Sequence, residues 1–129
     1  MDNCETGNRA AQADLPQIWR IRFDLIERAG GPALPRKKTL SASERFRTLF
    51  NFWALLFAPF YYLFKGMWRK ALTYWLPGFL LLSLLDAVAP DIDWDLVKRA
   101  VGIGTAILFT LRANIDYYKK MVLNDNGWW

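Results

Sequence analysis

The sequence predicts an all-α membrane protein made of an N-terminal cytoplasmic helix, a proline-bent interfacial or re-entrant segment, and a two-helix transmembrane hairpin. Three observations lead there. Apolar residues make up 53% of the 129 residues and aromatics 16%, a high share for a soluble domain. The apolar residues gather into three blocks, 48–64, 71–85 and 100–111. The cations of a chain with net charge +5 sit mainly at the edges of those blocks, where long basic side chains reach headgroups.

Residues 1–13 are polar and small without an apolar period, and read as a mobile tail. Cys4 is the one cysteine, so no internal disulfide forms, and no apolar run precedes it as a signal segment would require. Residues 14–47 read as a cytoplasmic helix and a basic linker. The helix is placed by its ends: Asp14 is the expected cap, Pro16 and Gln17 lie in the first turn, and Gly30 with Gly31 is the stop. Ile18, Ile21, Leu25 and Ile26 then share one face. Pro32, Pro35, Arg36, Lys37 and Lys38 break helix and demand water, and their charge suits a juxtamembrane patch drawn to anionic headgroups. A further helix starts at Ser41 or Ser43, with Ser41 and Glu44 at capping-box spacing.

Residues 48–129 form the expected membrane domain. A crossing helix needs about 20 mostly apolar residues, so each block must borrow from its flanks. The middle span, 71–89, gains Trp68, Arg69 and Lys70 as headgroup anchors, and Pro77 predicts a kink near residues 73–77. The last span, 94–118, begins with Lys98 and Arg99 near its start and ends on interfacial Tyr117 and Tyr118, followed by Lys119 and Lys120. Arg112 and Asp116, four apart, are an expected intramembrane pair near Asn114. Gly102 with Ala106, or Ala100 with Gly104, would allow a close helix approach within the chain or in a homo-oligomer.

Threading follows from charge. Linker cations precede the first block, and Lys65, Arg69 and Lys70 follow it, so both of its ends favour the cytoplasm. Asp86, Asp91, Asp93 and Asp95 favour the outside, and Lys119 and Lys120 the inside again. Two spans satisfy this, with residues 48–64 entering and returning around Pro59; three spans with the N-terminus outside is the competing arrangement.

The stretch LSASERFRTLFNFWALLFAPFYYLFKGMWRKAL, residues 40–72, and RANIDYYKKMV, residues 112–122, resemble small bacterial inner-membrane proteins of the domain-of-unknown-function 2628 family. That family carries a similar N-F-x-A-F-x-F-G-P-F-Y-Y segment ahead of G-M-W-R-K, and a closing A-N-x-x-Y-Y. RFDLIERAGGPALP, residues 22–35, is similar to its lead-in. Ala58 stands where the family pattern has glycine. The resemblance implies a bacterial inner-membrane protein and supplies no activity, ligand or active site; the multi-pass arrangement, with both termini cytoplasmic, rests on the blocks and their charges.

The absence of histidine removes His-based acid–base chemistry and His-containing zinc sites. Nucleic-acid binding is not expected, because the cations flank apolar blocks instead of forming one stripe. Asp91, Asp93 and Asp95 could meet a divalent cation only if extended, and capping of the following helix accounts for them more simply. The expectation is a non-catalytic membrane protein without a cofactor, working by interaction with lipid or a protein partner. A subunit of an oligomeric transport assembly is the alternative; it would place Asp86, Arg112 or Asp116 against water.

Overall fold

The structure is a computed structural model that describes residues 13–128; Cys4 and the expected tail, apart from its last residue Ala13, lie outside the described residues. Those residues hold helices and no strand: α1 (Gln17–Arg28), a 3-10 turn (Lys37–Thr39), α2 (Ala42–Leu49), α3 (Phe52–Phe64), α4 (Trp68–Val88) and α5 (Asp95–Val122).

α1 is capped at Pro16, not at Asp14, with no side-chain cap bond; Pro16 instead offers its carbonyl to the Trp19 amide at 2.9 Å. Its end is a Schellman turn. The Gly31 amide donates to the Ile26 carbonyl and the Gly30 amide to the Glu27 carbonyl, each at 2.9 Å, with both glycines at positive φ. The buried face also differs from the aliphatic one expected. Trp19, Phe23, Leu25 and Ile26 are buried while Ile18 and Ile21 are exposed, because α5 presents Tyr117 and Tyr118 to the aromatic side of α1. Ring centroids lie 4.5 Å apart for Trp19–Tyr117 and 5.4 Å for Phe23–Tyr118, in the edge-to-face range that aromatic quadrupoles favour.

Of the two starts read for α2, Ser41 is the cap, in a full capping box: the Glu44 amide donates to the Ser41 hydroxyl and the Ser41 amide to the Glu44 carboxylate. The Ser41 backbone amide, first among several bonds, holds the Glu44 carboxyl below its usual range. α3 opens on an Asn51 side chain that accepts from the Ala54 amide and breaks at Ala58, whose φ of 37° and ψ of −112° are non-helical, immediately before Pro59. At 1.5 Å per residue the whole bent element reaches about 20 Å, too short for a hydrocarbon core of about 30 Å. A second Schellman turn ends it. The Met67 amide donates to the Tyr62 carbonyl and the Gly66 amide to the Leu63 carbonyl, with Gly66 at φ 70°.

Of the described helices, α4 alone is both long and apolar enough to cross a membrane. Pro77 sits inside it without interrupting the assigned helix, and the proline-associated break falls in α3. α5 is longer but less apolar, and it is divided: its first half leaves Leu96, Ile103 and Ile107 exposed, whereas residues from Phe109 to Tyr118 are largely buried. α4 and α5 run antiparallel, as the order of their contacts shows. Tyr74 meets Arg112 and Asp116, Gly78 meets Val101 and Thr105, and Asp86 pairs with Lys98 at 3.1 Å.

The close approach of these two helices uses a different small residue from those expected. A Cβ on Gly78 would lie 3.0 Å from Val101 Cγ1, while Gly102 and Gly104 have no such neighbour within 4 Å. The reason is register. Val101 and Thr105, one turn apart, point at α4, so Gly102 and Ala106 turn toward a notch beside Ala58 and Pro59.

Candidate functional site

The polar residues of α3, α4 and α5 converge on Asp116. Its side chain is fully buried, and its Oδ2 accepts from the hydroxyls of Tyr62 on α3 and Tyr74 on α4, each at 2.9 Å. Oδ1 lies 3.7 Å from both Lys70 Nζ and Arg112 Nη2, and accepts no hydrogen bond. Arg112 also donates from Nε to the Tyr74 hydroxyl at 3.4 Å. Lys70 is as buried as Asp116, with no hydrogen-bond partner for its ammonium, so its charge depends on the carboxylate. One carboxylate thereby ties together three helices.

Asn114 forms a second junction, nearly on the opposite side of α5. Its amide nitrogen donates to the carbonyls of Arg47, Thr48 and Phe50, at 3.2, 3.0 and 3.2 Å. Its oxygen accepts from Asn51 Nδ2 at 2.9 Å, and Asn51 also donates to Tyr61. The carbonyls left open where α2 stops and α3 starts are therefore satisfied by a residue more than sixty positions away.

A third cluster gathers positive charge below α1. Lys65 Nζ stands 4.9 Å from the Trp19 ring, 4.6 Å from Tyr117 and 6.0 Å from Tyr61, a cage of three aromatic faces. Arg22 covers the same Trp19 at 5.0 Å. Lys120 donates to the Lys65 carbonyl, and Asn126 donates to that of Gly66 at 3.1 Å, which clamps the α3–α4 turn to the end of the chain. Burial pushes the Lys65 ammonium below its ordinary range, and Lys120 and Arg22 push the same way.

The family model described as "Protein of unknown function (DUF2628)" matches residues 7–122. The chain belongs to this family. Relatives include the "Uncharacterized protein YigF" of Salmonella typhimurium strain LT2, 25% identical over 122 residues that cover 88% of this chain and 90% of the relative. The protein of the same name from Escherichia coli strain K12 is 27% identical over the same extent. No solved structure matches. The family is bacterial in these relatives, and its junction residues fall inside the matched span.

The residues read from the sequence are thus distributed over several settings. Arg36, Lys37 and Lys38 are exposed around the 3-10 turn. Trp68 and Arg69 are exposed, with Arg69 over the Trp68 ring at 5.5 Å. Lys70, expected at the headgroups, is turned inward; it lies one turn before Tyr74, on the face of α4 that meets Asp116. Tyr117 and Tyr118, expected at the interface, are buried against α1. Lys119 and Lys120 are half-buried, and Arg112 and Asp116 face each other. Asp93 accepts from the Asp95 amide at 2.9 Å, and no three metal-ligating side chains cluster among the described residues.

Tyr62, Tyr74 and Asn51 were missed as site residues. The available signal was a polar group inside an otherwise apolar block, since a buried hydroxyl or amide needs a partner.

Proposed function

We propose that this is a non-catalytic integral protein of the bacterial inner membrane, anchored by the α4–α5 hairpin with both termini in the cytoplasm. It acts through what its basic N-terminal region binds. One observation carries the reading: large exposed apolar side chains run along α3, α4 and the first half of α5, while the charged and amide junctions are buried where these helices meet the second half of α5. A protein stable in water rarely leaves so broad an apolar surface uncovered. A transport subunit would need a titratable group facing a water-filled path, but Asp116 has no exposed surface and is engaged by Tyr62, Tyr74, Lys70 and Arg112. The binding reading is therefore preferred.

Cysteine accessibility in intact cells tests the threading. In a Cys4→Ser chain, single cysteines at Ala42, Arg69, Asp91 and Asn124 should react with an impermeant reagent at Asp91 alone. Reaction at Ala42 with protection at Arg69 would mean three crossings, and protection or reaction at all four positions would remove the hairpin.

A further inference from the structure

Between α1 and α2 lies a groove of about 370 Å³ lined by Gln17, Ile18, Ile21, Arg22 and Arg47. Ile18 and Ile21 are 55% and 42% exposed, so its apolar side is uncovered. Further exposed apolar side chains follow Arg47 in the chain. Phe46 stacks on Phe50 with centroids 4.6 Å apart, and the chain continues directly into exposed Phe52 and Trp53 of α3.

The charge around the groove is unbalanced. Arg22 and Lys65 share the ring of Trp19, Lys120 adjoins Lys65, and Arg47 lines the groove beside Arg22. Among the described residues none of these four cations has a carboxylate partner, whereas Arg28, Lys70, Lys98 and Arg112 each have one. Cations packed together without a counter-charge repel one another, and an anion between them relieves that repulsion. Guanidinium groups match phosphate by presenting paired donors.

We propose that this groove binds an anionic phospholipid of the cytoplasmic leaflet, with the headgroup phosphate between Arg22 and Arg47 and an acyl chain along Ile18, Ile21 and the neighbouring phenylalanines. The apolar side selects a lipid over a soluble anion, because free phosphate would leave that side in water. This rests on the cytoplasmic, membrane-anchored reading above and adds to it a ligand class and a place. It also differs from diffuse attraction by the linker, whose Arg36, Lys37 and Lys38 are exposed cations around the 3-10 turn.

The test uses the full chain in nanodiscs of phosphatidylcholine and phosphatidylglycerol, with lipids retained through native mass spectrometry as the readout. The wild-type chain should keep phosphatidylglycerol in preference. Arg22→Gln with Arg47→Gln should lower that preference by roughly tenfold or more, given about one kcal/mol per cation at an anionic surface. Arg22→Lys with Arg47→Lys should keep part of it, because the charge stays while the paired guanidinium donors are lost, and neutralising Arg36, Lys37 and Lys38 together should change it less than the groove pair does. An equal retention of both lipids by the wild type, or a glutamine pair that behaves as the wild type, overturns the proposal.

A photoreactive side chain at Ile21 gives a readout that needs no arginine substitution. It should add phospholipid mass in intact cells, and adducts to protein alone would count against the lipid. Resistance to alkaline carbonate extraction reports anchoring separately: an extractable wild-type chain removes the anchored reading, whereas an anchored chain without the preference removes the groove alone.

Discussion

Asp116→Asn is the substitution that most directly examines how the three helices are held. The change conserves size but removes the charge, leaving Lys70 fully buried without its ion-pair partner or a hydrogen bond, and with only the weaker pull of Asp125 at a distance. It also weakens two phenol bonds that now end on a carboxylate. Bonds to charged groups contribute about 1.5–3 kcal/mol each, and stranding one member of a buried pair costs about 3–5 kcal/mol. Some of this is recovered when Lys70 sheds its proton or Arg112, partly exposed, turns outward, so the expected loss is about 3 kcal/mol. Lys70→Met should cost less, about 1–2 kcal/mol, because Asp116 keeps Arg112 and both phenols. The double variant should be less destabilised than the sum of the singles, since methionine removes the ammonium that asparagine strands. Equilibrium unfolding of all four proteins in mixed micelles by SDS titration gives the cycle. Additive effects, or an asparagine variant within about 0.5 kcal/mol of wild type, would refute the idea that Asp116 neutralises Lys70.

Other expectations follow from the same contacts. Asn114→Ala should uncover the carbonyls of Arg47, Thr48 and Phe50, costing about 2–3 kcal/mol and speeding amide exchange through residues 48–54; unchanged exchange there would count against the clamp. Gly30→Ala should destabilise by more than about 1 kcal/mol, since φ is 95° and the new methyl would sit 2.8 Å from Pro35 Cγ, and an unaltered melting temperature would contradict it. Ala58→Gly should be neutral or stabilising by up to about 1 kcal/mol, because alanine at φ 37° is strained where glycine is not; a marked loss would show that the methyl packs more than it strains. The lowered Glu44 carboxyl contributes stability that is present above its unfolded pKa and disappears as pH falls through the folded one, so the protection of α2 amides, relative to their intrinsic exchange at each pH, should fall in acid. Glu44→Gln should flatten that dependence, and a profile identical to wild type would assign it elsewhere.

Much of the architecture was legible because its determinants are local. Gly30 with Gly31 stops α1 through backbone φ, Ser41 with Glu44 starts α2 within one turn, and the block of residues 71–85 lies inside α4, the one described helix that is long and apolar enough to cross. The resemblance carried by residues 40–72 and 112–122 also led to the family that the match over residues 7–122 shows. The candidate site was legible only at its edge, as Arg112 and Asp116 on one helix face. Lys70 read equally well as a headgroup anchor, because nothing within a turn of it in the sequence distinguishes an outward ammonium from an inward one.

What the sequence determined alone was therefore the helical character, the ends of several helices and the separation of apolar blocks from basic connections. Those follow from backbone sterics and from hydrophobic periods of a few residues. Tertiary structure decided which side of each helix counts. It turned Trp19 and Phe23 of α1 inward onto Tyr117 and Tyr118, chose Gly78 over Gly102 for the close approach, and drew Lys70 to a carboxylate 46 positions away. The physical reason is that a face is buried only against a partner, and here the partners are supplied by helices distant in the chain. The same holds for Asn114, whose role as a clamp exists only once the end of α2 is brought beside α5.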